Sequence, residues 1–138
     1  MKMFLKMAAS FLLIFNGAGA IYGGWNLITH PDGSTMQMSV DLLKHSPFSD
    51  FLMPGLILLL TNGVFCILAR VAILFETRNY QRYIIGEGII LLGWLTVQMI
   101  MIEMIVALHA VLGAIAILLI IFGWLLSEVE QKPKVIAQ

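Results

Sequence analysis

Charged residues are scarce in this chain, and their scarcity limits its class. Of 138 residues only 12% are charged, eight basic and eight acidic, whereas 60% are hydrophobic. Soluble domains are about half apolar and about a quarter charged. The zero formal net charge gives no basic field for a nucleic-acid partner. With a mean hydropathy of +0.96, the composition predicts one membrane domain over residues 1–138, with the lipid bilayer as its main partner.

Cysteine is nearly absent as well. The single Cys66 excludes an internal disulfide and a multi-cysteine metal site, and its apolar surroundings predict a small packing residue. Several carboxylates and imidazoles are predicted near the outer side, where they suit a solvated rim: His30, Asp41, His45, Asp50, Glu103 and His109. Their spacing matches no metal-binding motif. Among the histidines only His109 lies near a predicted span, and a bis-histidine haem site needs two histidines that face each other, so haem is disfavoured. We therefore predict no metal and no cofactor.

Long apolar runs are what the chain has in place of charge. A span needs about 20 residues. The run from Ile84 to Leu126 is about 64 Å long as one helix, roughly twice the bilayer, so it is predicted to fold into two spans around Glu103 and His109. The alternative is one long kinked helix that leaves the membrane. The all-α prediction is a four-transmembrane-helix bundle with spans at about 4–28, 54–75, 83–102 and 108–127.

The basic residues predict the orientation. Four spans place seven of the eight on one side: Lys2, Lys6, Arg70, Arg78, Arg82, Lys132 and Lys134. The positive-inside rule makes this side cytoplasmic, with both termini there. Residues 18–20 imitate a signal cleavage site, but the apolar stretch continues past the usual signal length, which favours an uncleaved first span.

The outer loop, at about 29–53, is the one long polar segment. Met36, Val40 and Leu43 recur at helical spacing, which suits either an interfacial amphipathic helix or an irregular loop. A helical turn is predicted over 47–52, with a kink into the second span at Pro54-Gly55.

Few polar side chains lie within the spans. Glu87, Trp94 and Gln98 share one face of the third span, and Asn16, Asn62 and Gln98 are predicted to meet at similar depth. These amides either fix the helix packing or line a small pocket open to the outer leaflet. The candidate ligand-binding residues are Asn16, Asn62, Trp94, Gln98, Glu103 and His109.

Glu87 has two interpretations of its own. An ion pair with snorkelling Arg82 or Arg70 is one, and a proton relay is the other.

Small residues punctuate the first and fourth spans. Gly19 and Gly23 are four apart, as are Ala20 and Gly24, and the fourth span carries Ala110, Gly113, Ala114 and Ala116. Such faces let helices approach closely. The neighbour is either another span, a second copy in a homodimer, or a partner membrane protein.

The segment from Ser46 to Gly55, followed by Asn62-Gly63, Gly93-Trp94 and Gln98, resembles a group of small bacterial four-span membrane proteins over about residues 12 to 123. The resemblance implies a four-helix bundle in the bacterial cytoplasmic (inner) membrane and no catalytic residues. In size and span count the chain is also similar to DoxX-like proteins. Small multidrug transporters carry a glutamate in their first span, which this chain lacks.

Two functions follow as hypotheses. In the first, a non-enzymatic membrane protein binds a lipid-like or quinone-like ligand, or a partner membrane protein, between its helices. In the second, a small transporter or membrane enzyme uses interior Glu87 and Gln98 with outer-rim Glu103 and His109.

Overall fold

The described residues of this computed structural model, 1–102 and 107–132, form an all-helical membrane domain. Its long helices are α1 (Lys2–Thr29), α2 (Leu52–Leu74), α3 (Tyr80–Ile102) and α4 (Ala107–Gln131). All four are long and apolar enough to cross a membrane. The chain is therefore a multi-pass membrane protein, as its composition predicts.

The division of the third apolar run into two helices is confirmed. Helix α3 ends at Ile102 and α4 begins at Ala107, close to the bounds predicted from Glu103 and His109. Glu103 itself lies outside the described residues.

The helices form a four-membered ring. Helix α1 packs against α2 and α4, and α3 packs against the same two, so α1 and α3 oppose each other diagonally. The fully buried side chains include Leu13, Ile84, Leu91, Leu119 and Leu126. Neighbouring helices run antiparallel. One end, where α1 and α3 begin and α2 and α4 end, carries most of the basic residues and is called the basic end here.

Small residues bring these helices together. A Cβ atom added to Gly24 in α1 would lie 2.9 Å from the carbonyl oxygen of Gly55 in α2. On the other side of the bundle, a Cβ on Gly88 would lie 2.7 Å from the carbonyl oxygen of Ala116. Some of the small residues therefore form close helix–helix contacts within the chain itself. Gly19 and Gly113 have no such neighbour within 4 Å in the described part of the chain.

The predicted kink at Pro54-Gly55 is wrong. Helix α2 begins at Leu52, so Pro54 lies in its first turn, where backbone N–H groups need no helical acceptor. Asp50 Oδ1 accepts a hydrogen bond from the Leu52 backbone N–H at 3.0 Å. The helix is distorted further along instead, where Leu59–Val64 widen into a π-helical turn.

The segment between α1 and α2 covers the opposite end of the bundle. It contains two short 3-10 turns, Ser34–Met36 and Val40–Leu43, in place of one amphipathic helix. Residues 47–51 form bends rather than the predicted helical turn. The Phe51 N–H donates to the Pro31 carbonyl at 2.8 Å, and Phe51 packs into a buried cluster with Leu43. This segment closes the bundle at that end.

Polar contacts fasten the basic end. Lys2 Nζ lies 2.9 Å from Glu130 Oε1, and the Tyr80 hydroxyl donates to the same carboxylate at 2.9 Å. Lys6 pairs with Glu76, and this hydrogen bond holds the pKa of Glu76 below its usual range. These contacts tie the start of α1 to the ends of α2 and α4.

The close approach at Gly24 can be tested against Gly19 in the same helix. Gly24→Ala is expected to lower the free energy of unfolding by about 1–3 kcal/mol, because the added methyl overlaps backbone atoms. Gly19→Ala meets open space and should leave stability unchanged or higher. Thermal unfolding of both variants in the same detergent is the measurement. Equal losses would contradict this packing.

Candidate functional site

The bundle interior contains three polar or polarisable side chains in mutual contact, here called the central polar cluster: Asn16, Cys66 and Glu87. Asn16 is 4% exposed, Cys66 2% and Glu87 0%. Glu87 follows the first residue of α3 by seven positions, which is about 10 Å along the helix. A carboxyl group is therefore enclosed well within the apolar part of the bundle.

The Asn16 amide holds the cluster together. Its Nδ2 donates to Glu87 Oε1 at 3.1 Å and to Cys66 Sγ at 3.3 Å. Because α1 and α3 are the diagonal pair, the bond between Asn16 and Glu87 crosses the bundle interior. The third member lies on α2, so one amide joins three of the four helices.

Glycine beside each polar residue makes room for this contact. A Cβ on Gly17 would lie 2.9 Å from Cys66 Cβ, so α1 approaches α2 closely at the level of Asn16. Gly88, next to Glu87, allows the same close approach between α3 and α4. The local sequences Asn-Gly and Glu-Gly thus place a polar side chain where two helix backbones nearly touch.

The ion pair proposed for Glu87 is not formed. The two ion pairs in the described ranges both lie at the basic end and use Lys2 and Lys6. Arg82 lies five residues before Glu87, about 140° around α3, and it is exposed while Glu87 is buried. Burying a charge without a partner costs far more than burying a neutral hydrogen-bonded group. The interior thus accommodates a neutral carboxyl at lowest cost.

Hydrogen-bonding capacity is left over in the interior. Within the described part of the chain, Glu87 Oε2 and Asn62 Oδ1 are buried and have no hydrogen-bond partner. Asn62 belongs to the π-helical turn and its Nδ2 donates to Thr61 Oγ1 at 3.0 Å. It precedes Cys66 by four residues, which places it about one turn away on a similar face. Local π-helical turns are frequent at functional sites.

Asn16 and Gln98, which the sequence predicts to meet, are not brought together. Gln98 is half-buried and lies eleven residues beyond Glu87, about 16 Å along α3, whereas Asn16 bonds to Glu87. Trp94 is half-buried on the same stretch. His109 is 8% exposed near the start of α4, so it is buried rather than part of a solvated rim. The remaining candidate, Glu103, lies outside the described residues.

Cys66 is the member that sequence reasoning missed, because a lone cysteine in an apolar run gives no polar signal. Its spacing of four from Asn62 was the available clue, since that spacing puts both on one side of α2.

No protein-family model matches the chain, and neither a curated protein nor a solved structure matches it. The fold defines a class, a four-helix multi-pass membrane protein with a buried carboxyl at its centre.

The contribution of the Asn16 amide to the stability of the bundle can be measured with a matched control. Asn16→Leu should lower the free energy of unfolding by about 1–3 kcal/mol, because it leaves a buried carboxyl oxygen without its donor. Asn26→Leu in the same helix removes only a bond to the Tyr22 carbonyl and should change stability by less than about 0.5 kcal/mol. Thermal unfolding in detergent provides both values. If the two variants were equally stable, the central polar cluster would not organise the bundle.

Proposed function

We propose that this protein is a small proton-linked transporter of the bacterial inner membrane, with Glu87 as its proton-binding site. The observation that carries the proposal is the position of Glu87, which is fully buried between the helices with one oxygen unbonded. An ionisable residue inside a membrane span is costly and commonly belongs to an ion or proton pathway.

The chemistry of a buried carboxyl supplies the coupling. When Glu87 releases its proton, a negative charge is left in a medium that solvates it poorly. Water or a cation must then reach the carboxylate, since neither of the ion pairs in the described residues involves it. The Glu87 carboxyl therefore holds either a proton or a small cation, but not both at once. The substrate class that fits is therefore a monovalent cation, inorganic or organic.

Each neighbour has a role in this proposal. Asn16 binds one carboxyl oxygen and fixes the direction of the other. Asn62 offers a second buried oxygen toward the covered end of the bundle, where a cation leaving Glu87 finds its next ligand. Leu13, Leu91 and Leu119 fill the interior, so the helices have to separate on one side at a time. No catalytic residue is proposed.

The first hypothesis from the sequence, a lipid-like or quinone-like ligand between the helices, needs a larger rearrangement. The same three leucines occupy the space that such a ligand would take. A homodimer or a partner membrane protein fits the exposed faces of the bundle, including Gly19 and Gly113, and is compatible with transport. The packed interior therefore favours a small cation over a bulky ligand.

The proposed orientation places the basic end in the cytoplasm. Reporter fusions after residues 45, 80, 106 and 138 are expected to read outside, inside, outside and inside, because α1 begins and α4 ends at the basic end. An inside signal at position 106 would contradict the orientation.

Proton binding and movement can be tested with Glu87→Gln. Glu128→Gln, an exposed carboxyl on α4, is the matched control. Infrared spectra of the protein in nanodiscs should show a neutral carboxyl band that Glu87→Gln removes and Glu128→Gln keeps. In proteoliposomes with a trapped pH-sensitive dye, an imposed gradient of potassium, sodium or tetraphenylphosphonium should drive proton movement through the wild type. Glu87→Gln should reduce this movement to the level of empty liposomes.

Two results would overturn the proposal. One is a charged Glu87 in the infrared spectrum across the pH range in which the protein stays folded. The other is proton movement through Glu87→Gln that equals that of the wild type.

A further inference from the structure

We propose that a groove beside the turn between α2 and α3 binds the headgroup and upper chain of an anionic phospholipid. The groove has a volume of about 370 Å³ and is lined by Phe65, Arg78, Asn79, Arg82 and Tyr83. It lies at the basic end, outside the helix bundle, and is separate from the central polar cluster. The proposal does not depend on transport.

The polar half of the groove holds two arginines. Arg78 and Arg82 are four residues apart and both are exposed. Among the described residues, the ion pairs at this end use Lys2 with Glu130 and Lys6 with Glu76, and neither arginine is in an ion pair. Two guanidinium groups converge on one groove without a carboxylate to neutralise them. Guanidinium groups bind phosphate through paired N–H donors, so this chemistry matches a phosphodiester.

The other half of the groove is aromatic. The rings of Phe65 and Tyr83 stack with their centroids 6.2 Å apart and 29° between their planes. Phe65 lies nine residues before the end of α2, about 13 Å into the span, so this wall extends toward the hydrocarbon. A free phosphate ion would use only the arginines. A phospholipid uses both halves, with its phosphate at the arginines and the start of its acyl chain along the rings.

Binding can be measured by titrating the purified full-length protein with phosphatidylglycerol and recording bound lipid by native mass spectrometry. The double variant Arg78→Gln/Arg82→Gln should bind about 30-fold more weakly, since each basic residue near an anionic headgroup contributes roughly fivefold. Arg70→Gln is the control, because Arg70 lies near the same end of α2 but does not line the groove. Zwitterionic phosphatidylcholine should bind the wild type more weakly than phosphatidylglycerol does.

The control separates a defined groove from general attraction between charges. A loss in Arg70→Gln as large as that in the double variant would overturn the proposal in favour of diffuse attraction. Displacement of bound phosphatidylglycerol by an equal concentration of inorganic phosphate would show an anion site without a lipid requirement, and would overturn it too. A 30-fold loss confined to the double variant, with phosphate ineffective, supports the lipid groove.

Discussion

The structure depends on one buried hydrogen bond, from Asn16 Nδ2 to Glu87 Oε1. A carboxyl group well inside a span cannot face lipid at reasonable cost, so α3 must turn Glu87 toward the interior. The group that meets it comes from α1, the helix diagonally opposite, which fixes the rotation of both helices at once. Gly17 and Gly88 then allow the flanking helices to close around the pair. Rotation, spacing and function of the bundle are thus linked through a single contact.

The remainder of the bundle isolates that contact at both ends. Toward the basic end, Ile84 and Leu13 fill the interior, and the contacts of Lys2, Tyr80 and Glu130 tie the helix ends together. Toward the other end, the segment between α1 and α2 covers the bundle. The π-helical turn in α2 interrupts this otherwise regular packing and places Asn62 in the interior. A widened turn offers a place where α2 can change shape while the rest of the bundle stays packed.

Hydropathy was enough to predict four helices and the division of the long apolar run, because length and burial of apolar surface govern both. It does not determine which helix faces which. The sequence correctly predicts that Glu87 avoids lipid, but neither of the arginines it offers as a partner, Arg82 or Arg70, pairs with it. Similar depth along the spans also predicts contact of Gln98 with Asn16 and Asn62, yet Asn16 bonds to Glu87 instead. The error at Pro54 has a similar origin. Proline kinks a helix only in its interior, and α2 begins just two residues before Pro54, where Asp50 Oδ1 accepts the Leu52 N–H.

The most direct test of this account is a distance across the bundle. Solid-state nuclear magnetic resonance on protein in lipid bilayers, with ¹⁵N in the Asn16 side chain and ¹³C in the Glu87 carboxyl, measures the dipolar coupling between the two groups. The structure has Nδ2 and Oε1 3.1 Å apart, which brings the labelled nitrogen and carbon close enough for a measurable coupling. A carboxyl chemical shift typical of a neutral acid is expected with it. Absence of that coupling in folded protein would contradict the account, because Glu87 would then be held by a different helix.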